Sequence, residues 1–106
     1  MKTALMNSSI GVFLLAGIAF TFSPESATDH GREVYAAQKC ALCHSIAGIG
    51  GKKSALDGVG SKLNSEDIRK WIRTPKGMKP NTVMRPCSNL PEKDLDDLVA
   101  FIMTLR

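Results

Sequence analysis

Apolar residues recur at helix spacing in two stretches of this chain. Leu95, Leu98, Val99, Ile102 and Leu105 form one stripe, flanked by Phe101 and Met103, and the spacing predicts a helix to the C-terminus. Pro91 suits its first position, and Asp94, Asp96 and Asp97 sit near its start, where the helix dipole favours negative charge. Ile68, Trp71 and Ile72 repeat at i, i+3, i+4 and predict a second helix over Ser65–Arg73. Asn64 or Ser65 caps it, Glu66 and Asp67 lie at its positive end, and Pro75 stops it, because Thr74 before a proline is pushed out of helical geometry. A further helix is expected over Asp29–Lys39, capped by Thr28 or Asp29. Between these the periodicity is lost. Ser45–Lys53 is glycine-rich and reads as loop, Leu56-Asp57-Gly58-Val59-Gly60 as a turn, and Lys76–Leu90, with Pro80 and Pro86, as an ordered loop. No strand alternation and no repeat is present, so the predicted class is all-α: three main helices joined by long loops.

Ahead of the helices, Lys2 and the apolar run Ile10–Phe22 have the form of an export signal, too short for a full membrane span. Ala27 suits the end of a cleaved leader, although Glu25 is a poor residue two positions earlier; Gly17 and Ala19 offer a better small-x-small pattern with a shorter core. An uncleaved membrane anchor is the alternative. The expected division is therefore a leader or anchor at 1–27 and one domain at 28–106, facing the periplasm in either case.

Those 79 residues make a small domain that has difficulty burying enough apolar surface alone. A large apolar cofactor would supply the missing core. The exported part carries 13 basic and 9 acidic residues. Nine of the basic ones lie between Lys52 and Arg85, against Asp57, Glu66 and Asp67, while Pro86–Arg106 is acidic on balance. This asymmetry is either an ordinary solvated surface or a basic face that steers an acidic partner. Export, and the scarcity of aromatics among the basic residues, argue against a nucleic-acid ligand.

Cys40-Ala41-Leu42-Cys43-His44 carries the chemistry. Cys-x-x-Cys-His is the attachment signal of a c-type haem. Two thiols three positions apart lie on one side of a helical turn, where both can add to the vinyl groups of one porphyrin edge. The histidine that follows is carried beneath the iron as an axial nitrogen. A thioredoxin-like redox pair would require a βαβ context, which is missing. A zinc site would need four ligands, and only Cys87 and His30 remain, neither in a second close pair. A plain Cys40–Cys43 disulfide is the simplest rival. His30 alone at a helix start reads as a surface residue.

A low-spin haem iron needs a second axial ligand, and methionine opposite histidine raises the potential. Met78 and Met84 both lie in the proline-containing loop between the second and third helices. The chain resembles the small bacterial class I cytochromes c. The residues that carry the resemblance are Gly31-Arg32-Glu33-Val34-Tyr35, the haem motif, Leu56 to Gly60, Trp71-Ile72-Arg73-Thr74-Pro75, Met78 to Pro86, and Asp94 to Ile102. The resemblance covers essentially all of 28–106. It implies a class I cytochrome c fold wrapped around one covalent haem c, with His44 and Met84 as iron ligands. It also implies that Leu56 packs on the haem, that Trp71 lies near its edge or propionates, and that Gly31 lets the first helix cross closely against the last, with Tyr35 and Phe101 as aromatics at the crossing. Two departures stand out. Lys53-Ser54 replaces a Gly-Pro pair whose proline helps hold a carbonyl against the histidine, which leaves the partner of His44 open. Cys87 stands near the place of an aromatic, and is read as a small buried apolar residue, with a free thiol or an intermolecular bond as the alternative.

The expected function is single-electron transfer between periplasmic or membrane-bound redox proteins, without enzymatic chemistry of its own. Two alternatives are a haem-bearing subunit of a larger oxidoreductase complex and a ligand-binding or sensing haem protein. Redox partners with an acidic docking surface are expected, with membrane association only if the N-terminal segment stays uncleaved.

Overall fold

The computed structural model describes residues 25–106. Most of the expected leader therefore lies outside the described residues. In chain order the elements are α1 (Ala27–Ala37), a 3-10 turn (Cys40–Leu42), β1 (His44–Ile46), β2 (Ile49–Gly50), β3 (Ser54–Ala55), α2 (Val59–Lys62), α3 (Ser65–Arg73), α4 (Pro75–Met78) and α5 (Glu92–Met103). The three principal helices are those expected. α3 has the bounds read from its pattern, with Asn64 Oδ1 accepting from the Asp67 amide at 2.8 Å. α1 begins two residues earlier than expected. Its cap is Ser26, whose hydroxyl accepts from the Asp29 amide at 3.1 Å, so neither Thr28 nor Asp29 holds that position. Pro91 stands at the cap of α5 rather than inside it.

The expectation of an all-helical domain without strands needs correction. β1 pairs antiparallel with β2 (Ser45↔Gly50, Ile46↔Ile49) and parallel with β3 (His44↔Ser54, Ser45↔Ala55), in the order β2-β1-β3. The β1–β2 turn is Ala47-Gly48, with φ of 52° and 80°. Positive φ at both central residues matches the twist of a two-residue hairpin. Asp57 supports the strained Ala47, its carboxylate oxygens accepting from the Ala47 amide at 3.2 and 3.1 Å. Strands of two or three residues are too short to show alternation, and the glycines that suggested loop instead build the turn. Two short helices, α2 and α4, also replace parts of the expected turn and ordered loop.

The core lies where α1, α3 and α5 meet: Val34 and Tyr35, Ile68 and Ile72, Leu90, and Leu95, Leu98, Val99, Phe101 and Ile102. Phe101, expected on the flank of the α5 stripe, is central to it. Burying aliphatic and aromatic side chains of this size contributes about 1.5–3 kcal/mol each. α1 crosses α5 at Gly31, where an added Cβ would stand 1.9 Å from the Asp97 carbonyl oxygen. Tyr35 and Phe101 meet edge to face just beyond, with centroids 5.7 Å apart. Arg32 lies 4.8 Å over the Phe101 ring.

His30 is not the isolated surface residue expected. Its Nδ1 lies 2.7 Å from Oδ2 of buried Asp97, which also accepts from Lys93 Nζ. The Asp97 hydrogen bond raises the His30 pKa against the opposing effect of burial. Asp97 is lowered by Lys93 and then by His30. The His30 contribution is complete below its ordinary value of 6.5 and is lost as pH rises through the higher folded value. The Asp97 contribution is present above 3.8 and is lost as pH falls through its lower folded value. The melting temperature should therefore fall between pH 6 and pH 9. His30→Gln should flatten that limb, and an unchanged slope in the variant would refute the assignment.

Candidate cofactor site

The motif residues are gathered in one turn that follows α1. Gln38 and Lys39 end the helix, with Lys39 in the left-handed region at φ 59°, and the chain turns into Cys40–Leu42. The Cys43 amide donates to the Cys40 carbonyl at 3.2 Å, so the two cysteines bracket a single turn. All three cysteines are free thiols. Burial, and then the neighbouring Cys87, push the Cys40 thiol up to about 11.

His44 opens β1. Its Nδ1–H donates to the Ser54 carbonyl at 3.2 Å, across the parallel β1–β3 register. The carbonyl can only accept, so this bond puts the proton on Nδ1 and leaves the Nε2 lone pair available to a metal. The serine that replaces the resemblance's proline thus supplies the orienting carbonyl through its backbone. The Leu56 amide donates to the Ser45 carbonyl at 2.8 Å, bringing Leu56 beside the histidine strand, half-buried against the core.

The segment bearing Met84 reaches the same region from the other end of the sequence. Cys87, three residues on, lies near enough to Cys40 to perturb it. The Cys87 amide donates at 2.8 Å to the carbonyl of Ile72, next to Trp71. Trp71 is half-buried and stands outside the apolar core, although its helical neighbours Ile68 and Ile72 are 3% and 7% exposed. Simple core packing therefore does not account for it. Met84 and Met78 are both half-buried, Met84 in the loop after α4 and Met78 at the end of α4. Cys87 is half-buried against the core, in keeping with an apolar filler.

The residues fit a haem. Two adjacent thiols, an imidazole with its tautomer set, and two methionines supply the donor types. Apolar surface is available as well: Leu42, Ile49 and Val83 are 67%, 78% and 80% exposed. The Tyr35 hydroxyl is buried without a hydrogen-bond partner, near Cys40. Among the described residues no group of three or more His, Cys, Asp or Glu side chains could hold a metal ion by itself.

The model of the family described as cytochrome c oxidase, cbb3-type, subunit III matches residues 26–102. The chain belongs to this family. It is a small c-type cytochrome, of the haem-binding, electron-transfer type. A curated relative, cytochrome c oxidase subunit 2 of Alkalihalophilus pseudofirmus, is 27% identical over 92 residues. That alignment takes in 77% of the cytochrome and 27% of the relative, so the chain spans about a quarter of the relative's length. No helix among the described residues is long and apolar enough to cross a membrane.

Proposed function

We propose that this cytochrome holds one haem c, bound covalently through Cys40 and Cys43, with His44 and Met84 on the two faces of the iron. The observation that carries this reading is the Nδ1 bond of His44 to the Ser54 carbonyl, which leaves Nε2 free one residue after two unpaired thiols. When bound, haem supplies one-electron chemistry at its iron. The protein's part is to fix the ligands, keep water from them and present one edge to a partner. Leu56 would pack against the macrocycle and Trp71 would stand near its edge or propionates. In acidified organic solvent the haem colour should stay with the denatured polypeptide. Colour that leaves the chain would refute covalent attachment.

We place the protein outside the cytoplasm, in the periplasm or anchored to the outer face of the cytoplasmic membrane. Ser26 caps α1, so cleavage after Ala27 would remove that cap, whereas an earlier cut or an uncleaved anchor would keep it.

The docking face is narrower than the basic segment Lys52–Arg85. Arg69 and Arg73 are paired with acids of α5 and Lys70 with Glu66. Lys52, Lys53, Lys62, Lys76, Lys79 and Arg85 have no ion pair among the described residues and would steer an acidic partner. Electron exchange with such a partner should slow as salt rises, because exposed charges are screened over about 10 Å at 0.1 M ionic strength. A rate independent of salt would count against this face.

A second reading, the haem-bearing subunit of an oxidase, is favoured by both matched names. Purification under native conditions separates the two: a free monomer supports the diffusing carrier, and a stoichiometric complex with oxidase subunits supports the fixed one.

A further inference from the structure

We propose that Arg73 is a positioning residue for the methionine ligand: it clamps the segment after Met84 and so keeps the thioether on the iron. The inference rests on Met84 as that ligand. Arg73 is the last residue of α3 and its side chain is 22% exposed. Its Nη1 donates to two backbone carbonyls, those of Cys87 at 3.0 Å and Ser88 at 2.9 Å. Its Nη2 meets Glu92 Oε1 at 2.9 Å, in the first turn of α5. The Cys87 amide is held as well, donating to Ile72 at 2.8 Å. Both backbone groups of Cys87 are thus bound to the end of α3.

The other side of Met84 has its own anchor. Lys76 Nζ donates to the Thr82 carbonyl at 3.0 Å, and the Thr82 hydroxyl accepts from the Met84 amide at 3.2 Å. Met84 therefore hangs between two fixed points. Only Arg85 and Pro86 separate it from the clamped Cys87, and proline has a locked φ. So short a link transmits any movement of Cys87 to the methionine.

A neutral thioether is a soft ligand with no charge to hold it in place, so its occupancy depends on how little freedom the loop gains when it dissociates. The planar guanidinium reaches the two carbonyls through Nη1 and Glu92 through Nη2 at the same time, which the single nitrogen of a lysine ammonium cannot reproduce. Its charge is balanced by Glu92. The effect assigned to Arg73 is therefore one of placement rather than of field at the iron.

The test uses the haem-loaded ferric protein, titrated with imidazole while the methionine–iron charge-transfer band is followed. Imidazole competes for the methionine position, and its apparent affinity rises in proportion to the fraction of protein with that position open. Arg73→Gln should weaken the band and raise imidazole affinity roughly tenfold or more, approaching the limit set by Met84→Ala. Arg73→Lys keeps the Glu92 pair and one carbonyl; it should melt near wild type yet bind imidazole with intermediate affinity. It decides the matter if Arg73→Gln does not fold. Glu92→Gln leaves the carbonyl bonds in place and should bind imidazole as wild type does. Wild-type imidazole affinity in the Arg73 variants, whatever their melting temperatures, would overturn the proposal and leave Arg73 a structural residue. Wild-type affinity in Met84→Ala, with a rise in Met78→Ala, would instead overturn the ligand assignment on which the proposal rests.

Discussion

Replacing Met84 by alanine should remove the methionine–iron charge-transfer band of the oxidised protein and lower its reduction potential, while Met78→Ala should do neither. Methionine opposite histidine favours the reduced iron, and loss of the thioether leaves weak-field water or a nitrogen donor to take its place. The fall should be on the order of 100 mV or more, well inside the ~0.8 V range over which axial ligands set haem potentials. Both methionines are half-buried, so burial does not separate them. Their surroundings do. Met78 closes the four-residue α4, which begins at the buried Pro75. Met84 lies in a stretch without regular structure, held from both sides by Thr82 before it and by Cys87 after it. The measurement is a spectroscopic redox titration of the three proteins. A retained band in Met84→Ala together with a lost band in Met78→Ala would reverse the assignment.

Gly31→Ala should cost about 3 kcal/mol, despite the roughly 1 kcal/mol that alanine gains over glycine inside a helix. The added Cβ would stand 1.9 Å from the Asp97 carbonyl oxygen and 2.7 Å from Phe101 Cβ. The nearest of these atoms belongs to the backbone of α5, which cannot swing aside as a flexible side chain would. α1 and α5 would have to separate, loosening the Tyr35–Phe101 contact and the His30–Asp97 bond together. For a domain of this size the loss corresponds to a fall in melting temperature of roughly 12–24 °C. Gly77→Ala is the control: its new Cβ would meet nothing closer than Thr74 Oγ1, at 3.7 Å. It should be neutral or mildly stabilising. Equal melting temperatures for the two variants would refute the close-crossing argument.

Much of the architecture was legible along the chain. α3 and α5 declare themselves because their apolar residues recur at helix spacing and their ends carry recognisable signals, Asn64 and Pro75 for one and Pro91 for the other. The small sheet was not legible. β1, β2 and β3 run for three, two and two residues, shorter than any window in which alternation can be seen. The ion pairs of Arg69 and Arg73 with α5 were hidden for a different reason. Their acidic partners lie some twenty residues on, in a segment that looked like a separate acidic block, so a basic surface estimated from sequence was too wide.

The sequence by itself determined the chemistry of this protein: two thiols and an imidazole in one short motif, a methionine-bearing loop, three helices with a shared apolar face, and the glycine where two of them cross. Those are matters of residue type and local spacing, which the chain carries without reference to its fold. The tertiary structure decided how the proposed ligands are held. The orienting partner of His44 is a backbone carbonyl, and any residue can supply one, so only the β1–β3 register reveals that Ser54 does. The anchoring of the Met84 segment likewise depends on carbonyls of Cys87 and Ser88 meeting an arginine 14 and 15 positions earlier. Backbone groups are the same at every position, and their partners exist only once the chain has folded.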